Sequence, residues 1–179
     1  MIQHPQYQLK RWVIAPPADS TILAGLGRQS LLEAQLLYNR GIVDPESAAG
    51  FLAAGYPTDT DPFLLKDMDV TVERINRALS ENQRIAIYGD YDVDGVTATA
   101  LLVEVLRNLG GEVQAYIPDL FDEGYGLNEH ALQALRDQVV QLVITVDCGV
   151  RSVTEAEFSR KIGLDLIISD HHMPSDQLP

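Results

Sequence analysis

From Met68 onward the chain alternates short apolar runs with amphipathic stretches. RIAIYG, EVQAYIP, QLVITVD and LDLIISD are the apolar runs, and each is bounded by polar or glycine residues. DVTVERINRALSEN precedes the first of them and places Val72, Ile75 and Leu79 on one helical face. GVTATALLVEVLRNLG, NEHALQALRDQ and SVTEAEFSRKIG separate the others and read as helices. Short apolar strands alternating with helices predict an α/β fold, a parallel sheet flanked by helices on both faces. Before Met68 the pattern differs. SLLEAQLLYNRGI reads as a short amphipathic helix ended by Gly41, and DPESAAGFLAAG as another with Pro45 in its first turn. YPTDTDPF reads as a loop. The expected organisation is a small helical region with linker over 1–67 and the α/β domain over 68–179.

In open parallel sheets ligands lie beyond the carboxyl ends of the strands. The strand ending at Tyr88 is followed by GDYDVDG, the one ending at Val146 by DCG, and the one ending at Ser169 by DHH. Three strand ends thus bring acid or imidazole groups to one edge. If GDYDVDG is extended, its period of two points Asp90, Asp92 and Asp94 the same way. Gly89 and Gly95 flank them and permit close approach of a ligand. Converging carboxylates repel unless cations neutralise them, and oxygen donors suit Mg²⁺ or Mn²⁺, with imidazole shifting the preference towards Mn²⁺. Two such ions, roughly 3.5–4 Å apart, can activate water and clamp the oxygens of a phosphoryl displacement. A calcium loop is excluded, because no Glu closes the segment and a strand precedes it. Cys148 is a poor nucleophile candidate, since adjacent carboxylates raise a thiol's pKa.

Composition narrows the class. No apolar stretch approaches the roughly 20 residues needed to span a bilayer, and MIQHPQYQLKRW lacks the apolar core of a signal peptide. One cysteine in the sequence rules out an intrachain disulfide framework and fits a reducing, cytoplasmic setting. The net charge of −13 is the wrong sign for a nucleic-acid binder. Either another part of the protein supplies a basic groove, or the substrate is small and held mainly by metal ions.

Three segments carry a family resemblance. IAIYGDYDVDGVTATALL resembles the first motif of the DHH phosphoesterases, VITVDCGV the second, and ISDHHMP the third. LLYNRGI, DPFLLKDMD, YIP and EGYGLN are similar to the RecJ-type exonucleases more than to the oligoribonucleases or inorganic pyrophosphatases of that family. The resemblance runs from about Leu31 to the end. It implies a Rossmann-like DHH domain and a two-metal phosphodiesterase, dependent on Mn²⁺ or Mg²⁺, that degrades single-stranded DNA from the 5′ end in repair and recombination. By motif position Asp90, Asp92, Asp94, Asp147 and His171 are then metal ligands, with Asp147 the bridge and Asp90 a ligand or a supporting acid. Asp170 would orient neighbouring groups, and His172 would contact the scissile phosphate. Asp147 and His172 are thereby the expected catalytic residues.

Two departures stand out. PDLFDEGYGL has Asp119 and Leu120 where such relatives carry a basic residue. Family members also continue past DHH with a fourth Asp motif, a helical connection and a DHHA1 domain, so the chain is expected to be an N-terminal portion, weakly active or inactive alone. The alternatives are a phosphodiesterase for oligonucleotides or cyclic dinucleotides, and a non-catalytic metal-binding interaction module.

Overall fold

The computed structural model describes residues 13–26, 30–55, 60–119, 124 and 126–179. The N-terminal MIQHPQYQLKRW, Tyr56–Asp59 of the YPTDTDPF loop, and Leu120–Glu123 and Tyr125 of PDLFDEGYGL lie outside the described residues. The chain divides into two compact units, Met1–Thr60 and Asp61–Pro179.

The first unit contains α1 (Ser20–Gly25), α2 (Leu31–Tyr38) and α3 (Pro45–Leu52). Each begins at a residue whose side chain accepts a hydrogen bond from the first turn: Asp19, Ser30 and Asp44. Leu26, Ala34, Leu37 and Ala48 form its core, with Leu23 and Ile42 packed against them. The α1 helix was not expected, because six residues are too few for a periodic pattern to register.

The second unit runs in the order α4 (Met68–Ser80), β1 (Arg84–Gly89), α5 (Val93–Asn108), β2 (Glu112–Tyr116), α6 (Glu129–Asp137), β3 (Val140–Val146), α7 (Val153–Lys161) and β4 (Asp165–Ser169), after a short 3-10 turn at Pro62–Leu64. All strand pairings are parallel, and the sheet order is β2-β1-β3-β4. The α/β architecture read from the sequence is the one observed.

Alternation along each strand sends side chains to two separate cores. Ile85, Ile87, Leu142, Ile144 and Val146 face Ile75 and Ala78 of α4 and Leu102 and Leu106 of α5. Ala86, Tyr88 and Val143 face Ala131, Leu132 and Leu135 of α6 and Phe158 of α7. Both faces of the central strands are therefore dry, which explains why β1 and β3 read as unbroken apolar runs. No helix among the described residues is long and apolar enough to cross a membrane.

The junction of β1 and α5 departs from expectation. Val93–Gly95 is helical rather than extended: Asp92, itself still extended, is the N-cap of α5, and its carboxylate accepts from the amides of Asp94 at 3.0 Å and Gly95 at 3.1 Å. The period-of-two argument for the three carboxylates fails there, because capping the helix satisfies amides that an extended segment would leave open. The two glycines also allow close packing within the chain. A Cβ on Gly95 would lie 2.5 Å from the Asp90 nitrogen, and one on Gly89 would meet the Thr99 hydroxyl.

Cys148 is buried in the α6–α7 core, with its Sγ 3.8 Å from the Tyr88 carbonyl. Burial pushes its thiol up to about 12, and the carboxylates of Asp170, Asp90 and Asp147 add to the shift.

Two outcomes follow from this packing. Gly95→Ala should lower unfolding free energy by about 1–3 kcal/mol in denaturant titrations, although alanine is the better helix former. Cys148 should resist a disulfide reagent at pH 8 in the folded chain and react fully once the chain is unfolded.

Candidate metal centre

Register assembles the acidic edge. Gly89 pairs with Val146 and Val146 with Ser169, so the next residues on the three strands, Asp90, Asp147 and Asp170, leave the sheet side by side. The chain turns from β1 outward to β2 and returns on the other side as β3, so Asp90 and Asp147 flank the point where the strand order reverses.

Asp147 has a left-handed backbone, φ 63°, an uncommon conformation that aspartate tolerates better than most residues. Its amide donates to the Ser169 carbonyl at 3.0 Å. Its side chain is 6% exposed, and neither buried oxygen has a hydrogen bond of good geometry. His171 Nε2 lies 2.8 Å from Oδ1 but is not aligned as a hydrogen bond. Burial raises the Asp147 pKa, and the neighbouring Asp92 charge raises it further, against an opposing pull from His171. Asp92 itself is held below the usual carboxylate value, chiefly by the Gly95 amide.

Two donor groups share Asp147. Asp90, Asp92 and Asp147 offer oxygens that all lie within 4.8 Å of one another, and so do the ligand atoms of Asp147, His171 and His172. Asp94, in the first turn of α5, belongs to neither group. Asp170 stands behind the histidines. Its Oδ1 accepts from the His172 amide at 3.0 Å and lies 2.7 Å from His172 Nδ1, while Oδ2 accepts from the Val150 amide at 2.9 Å. Burial would raise the Asp170 pKa, but these hydrogen bonds outweigh it and hold the carboxyl below its ordinary value. The same contact to Asp170 raises the pKa of His172.

A divalent cation fits these residues. Two buried carboxylate oxygens without aligned donors, next to a second carboxylate, form an arrangement that protein groups alone leave uncompensated. The donors are carboxylate oxygen and imidazole nitrogen, the set that suits Mn²⁺ and, less well, Mg²⁺.

Sequence reasoning did not single out Val150 and Arg151. The Val150 amide holds Asp170, and Arg151 Nε donates to the Met173 carbonyl at 2.7 Å. No motif signals such contacts, because a main-chain partner leaves no residue type to recognise.

Comparison with known proteins agrees with this fold. The sequence model described as "DHH family, N-terminal domain" matches residues 84–179. The single-stranded-DNA-specific exonuclease RecJ of Bacillus subtilis (strain 168) is 43% identical over 172 residues, covering 94% of this chain and 22% of the relative. The chain thus spans about a fifth of the length of that curated relative. A crystal structure of exonuclease RecJ bound to manganese superposes with a TM-score of 0.60 at 36% identity, covering 64% of this chain and 30% of that one. The RecJ–Mn²⁺ complex from Thermus thermophilus gives a TM-score of 0.61 at 29% identity, covering 88% of this chain and 21% of that one. With its family motifs matched over more than half its length and its acids at the expected strand ends, the chain belongs to the DHH family.

Proposed function

We propose that the chain forms the metal-binding part of a phosphodiesterase that hydrolyses single-stranded DNA from the 5′ end, working in the cytoplasm in DNA repair and recombination. The observation that carries the reading is the buried Asp147 carboxylate, shared by two donor groups and lacking aligned hydrogen-bond donors. The RecJ relatives, exonucleases specific for single-stranded DNA, and the manganese-bound RecJ structures support the choice of substrate and ion.

Asp90, Asp92, Asp147 and His171 would hold Mn²⁺ or Mg²⁺, with Asp147 common to both donor groups. Asp94 is the outlying member of the set. When bound, the ions supply activation of water and neutralisation of charge on the phosphoryl group being transferred. The protein's own part is orientation. Asp92 is held rigid by the amides of Asp94 and Gly95, so its oxygens are placed before any ligand arrives. Asp170 fixes His172 through Nδ1, leaving Nε2 to contact the scissile phosphate. Because that contact raises the His172 pKa, the ring keeps its proton to higher pH and can donate it to a phosphate oxygen as negative charge develops.

Calorimetric titration with Mn²⁺ tests the ligand set. Asp147→Asn should abolish measurable binding. Asp92→Asn keeps a competent helix cap but removes a charge, and should weaken binding more than Asp94→Asn. With 5′-labelled single-stranded DNA, nucleotide release should require Mn²⁺ and vanish in Asp147→Ala; turnover confined to dinucleotides would overturn the substrate assignment.

The pH dependence has a definite sign. In the metal-free chain the His172 ring, followed by NMR, should titrate above its ordinary value of 6.5, and Asp170→Asn should bring it back. A raised pKa means the Asp170–His172 pair stabilises the fold fully below pH 6.5 and loses that contribution as pH rises through the folded value.

A further inference from the structure

After β4 ends at Ser169 the chain runs to Pro179 without helix or strand, and His171 and His172 lie at the start of this stretch. Packing does not hold them. The His171 side chain is 71% exposed and that of His172 42%. Among the described residues, the last main-chain hydrogen bond before the histidines is Asp147 N to Ser169 O at 3.0 Å. Beyond that point side chains take over. On the near side of the histidines Asp170 Oδ2 accepts from the Val150 amide at 2.9 Å. On the far side Arg151 Nε donates to the Met173 carbonyl at 2.7 Å.

Both anchors belong to one turn, Asp147–Ser152 between β3 and α7, which also carries the shared carboxylate. The histidine segment is therefore fastened at each end to residues that follow Asp147 by three and four positions. An anchor on one side alone would leave the segment free to swing away from that carboxylate.

We propose that Arg151 is a positioning residue, which through the Met173 carbonyl sets His171 and His172 against Asp147 before a metal ion binds. The inference rests on the metal-centre reading above. Arg151 contributes no donor to the centre. Its effect is on order: a segment already held loses less conformational freedom when its imidazoles engage a cation. Arginine suits the task because its planar fork keeps one orientation towards an acceptor, and lysine can reach the same carbonyl with a less directional donor.

Four versions of the 179-residue chain test this: unaltered, Arg151→Ala, Arg151→Lys and Asp147→Asn. Mn²⁺ affinity is measured by calorimetry, thermal unfolding is followed without metal, and amide hydrogen exchange at His172 and Met173 is followed without metal. Arg151→Ala should speed exchange at both amides and lower Mn²⁺ affinity about tenfold, the low end for a group acting behind the ligands. Its unfolding midpoint should stay unchanged, and Arg151→Lys should recover part of both effects. Unchanged Mn²⁺ affinity in Arg151→Ala, with Asp147→Asn unable to bind, would overturn the role of Arg151 and leave the metal centre standing. Equal losses in the alanine and lysine variants, accompanied by a lower unfolding midpoint, would also overturn it in favour of a general structural role. No Mn²⁺ binding by the unaltered chain would overturn the metal reading itself, and this inference with it.

Discussion

A carboxylate buried at the end of a central strand, with no aligned donor to satisfy it, constrains everything around it. Asp147 holds a left-handed backbone at the carboxyl end of β3, with its side chain almost wholly buried between the ends of β1 and β4. In a low-dielectric site such a group is unfavourable unless it gains a proton or a cation. Its neighbours sharpen that need, because the Asp92 charge adds to burial in raising its pKa and also draws a cation. Asp90 and Asp92 bring further negative charge, and His171 approaches as a partner whose nitrogen also suits a metal. The same geometry that is awkward for an empty protein is appropriate for one that binds a divalent ion.

Other features of the second unit become intelligible from that point. Both central strands must be dry on two faces, so the edge where they end is the place at which charge can gather without disturbing the core. The N-terminus of α5 points its unpaired amides at this edge, and Asp92 answers two of them. Gly95 lets the helix start hard against the Asp90 backbone, closer than any side chain would allow. The net charge of −13 ceases to be puzzling in the same way, since part of it is concentrated where a cation fits.

How much of this was legible in the sequence depended on whether the signal was local. The strands RIAIYG and QLVITVD announced themselves because burial on both faces needs an unbroken apolar run. The helices α4 and α6 did so by their repeating apolar faces. The GDYDVDG segment was harder, because Asp92 serves equally as a member of an alternating acidic strand and as an N-cap, and the two conformations place Asp94 differently. Helix capping won, since it pairs amides that would otherwise go without partners. Arg151 left no trace at all: its acceptor is a carbonyl, which every residue possesses.

By itself the sequence determined that the second unit is a parallel α/β domain and that three strands end in acid or imidazole groups. Both follow from hydrophobic burial and from neighbours in the chain, which are written residue by residue. Only the tertiary structure decided the order β2-β1-β3-β4 and the register that puts Asp90, Asp147 and Asp170 abreast. It also decided that Asp94 lies in the first turn of α5, outside the two donor groups, and that the histidines are clasped from the β3–α7 turn. Those outcomes depend on contacts between segments far apart in sequence. Their energies come from packing and hydrogen bonds that exist only once the sheet has formed.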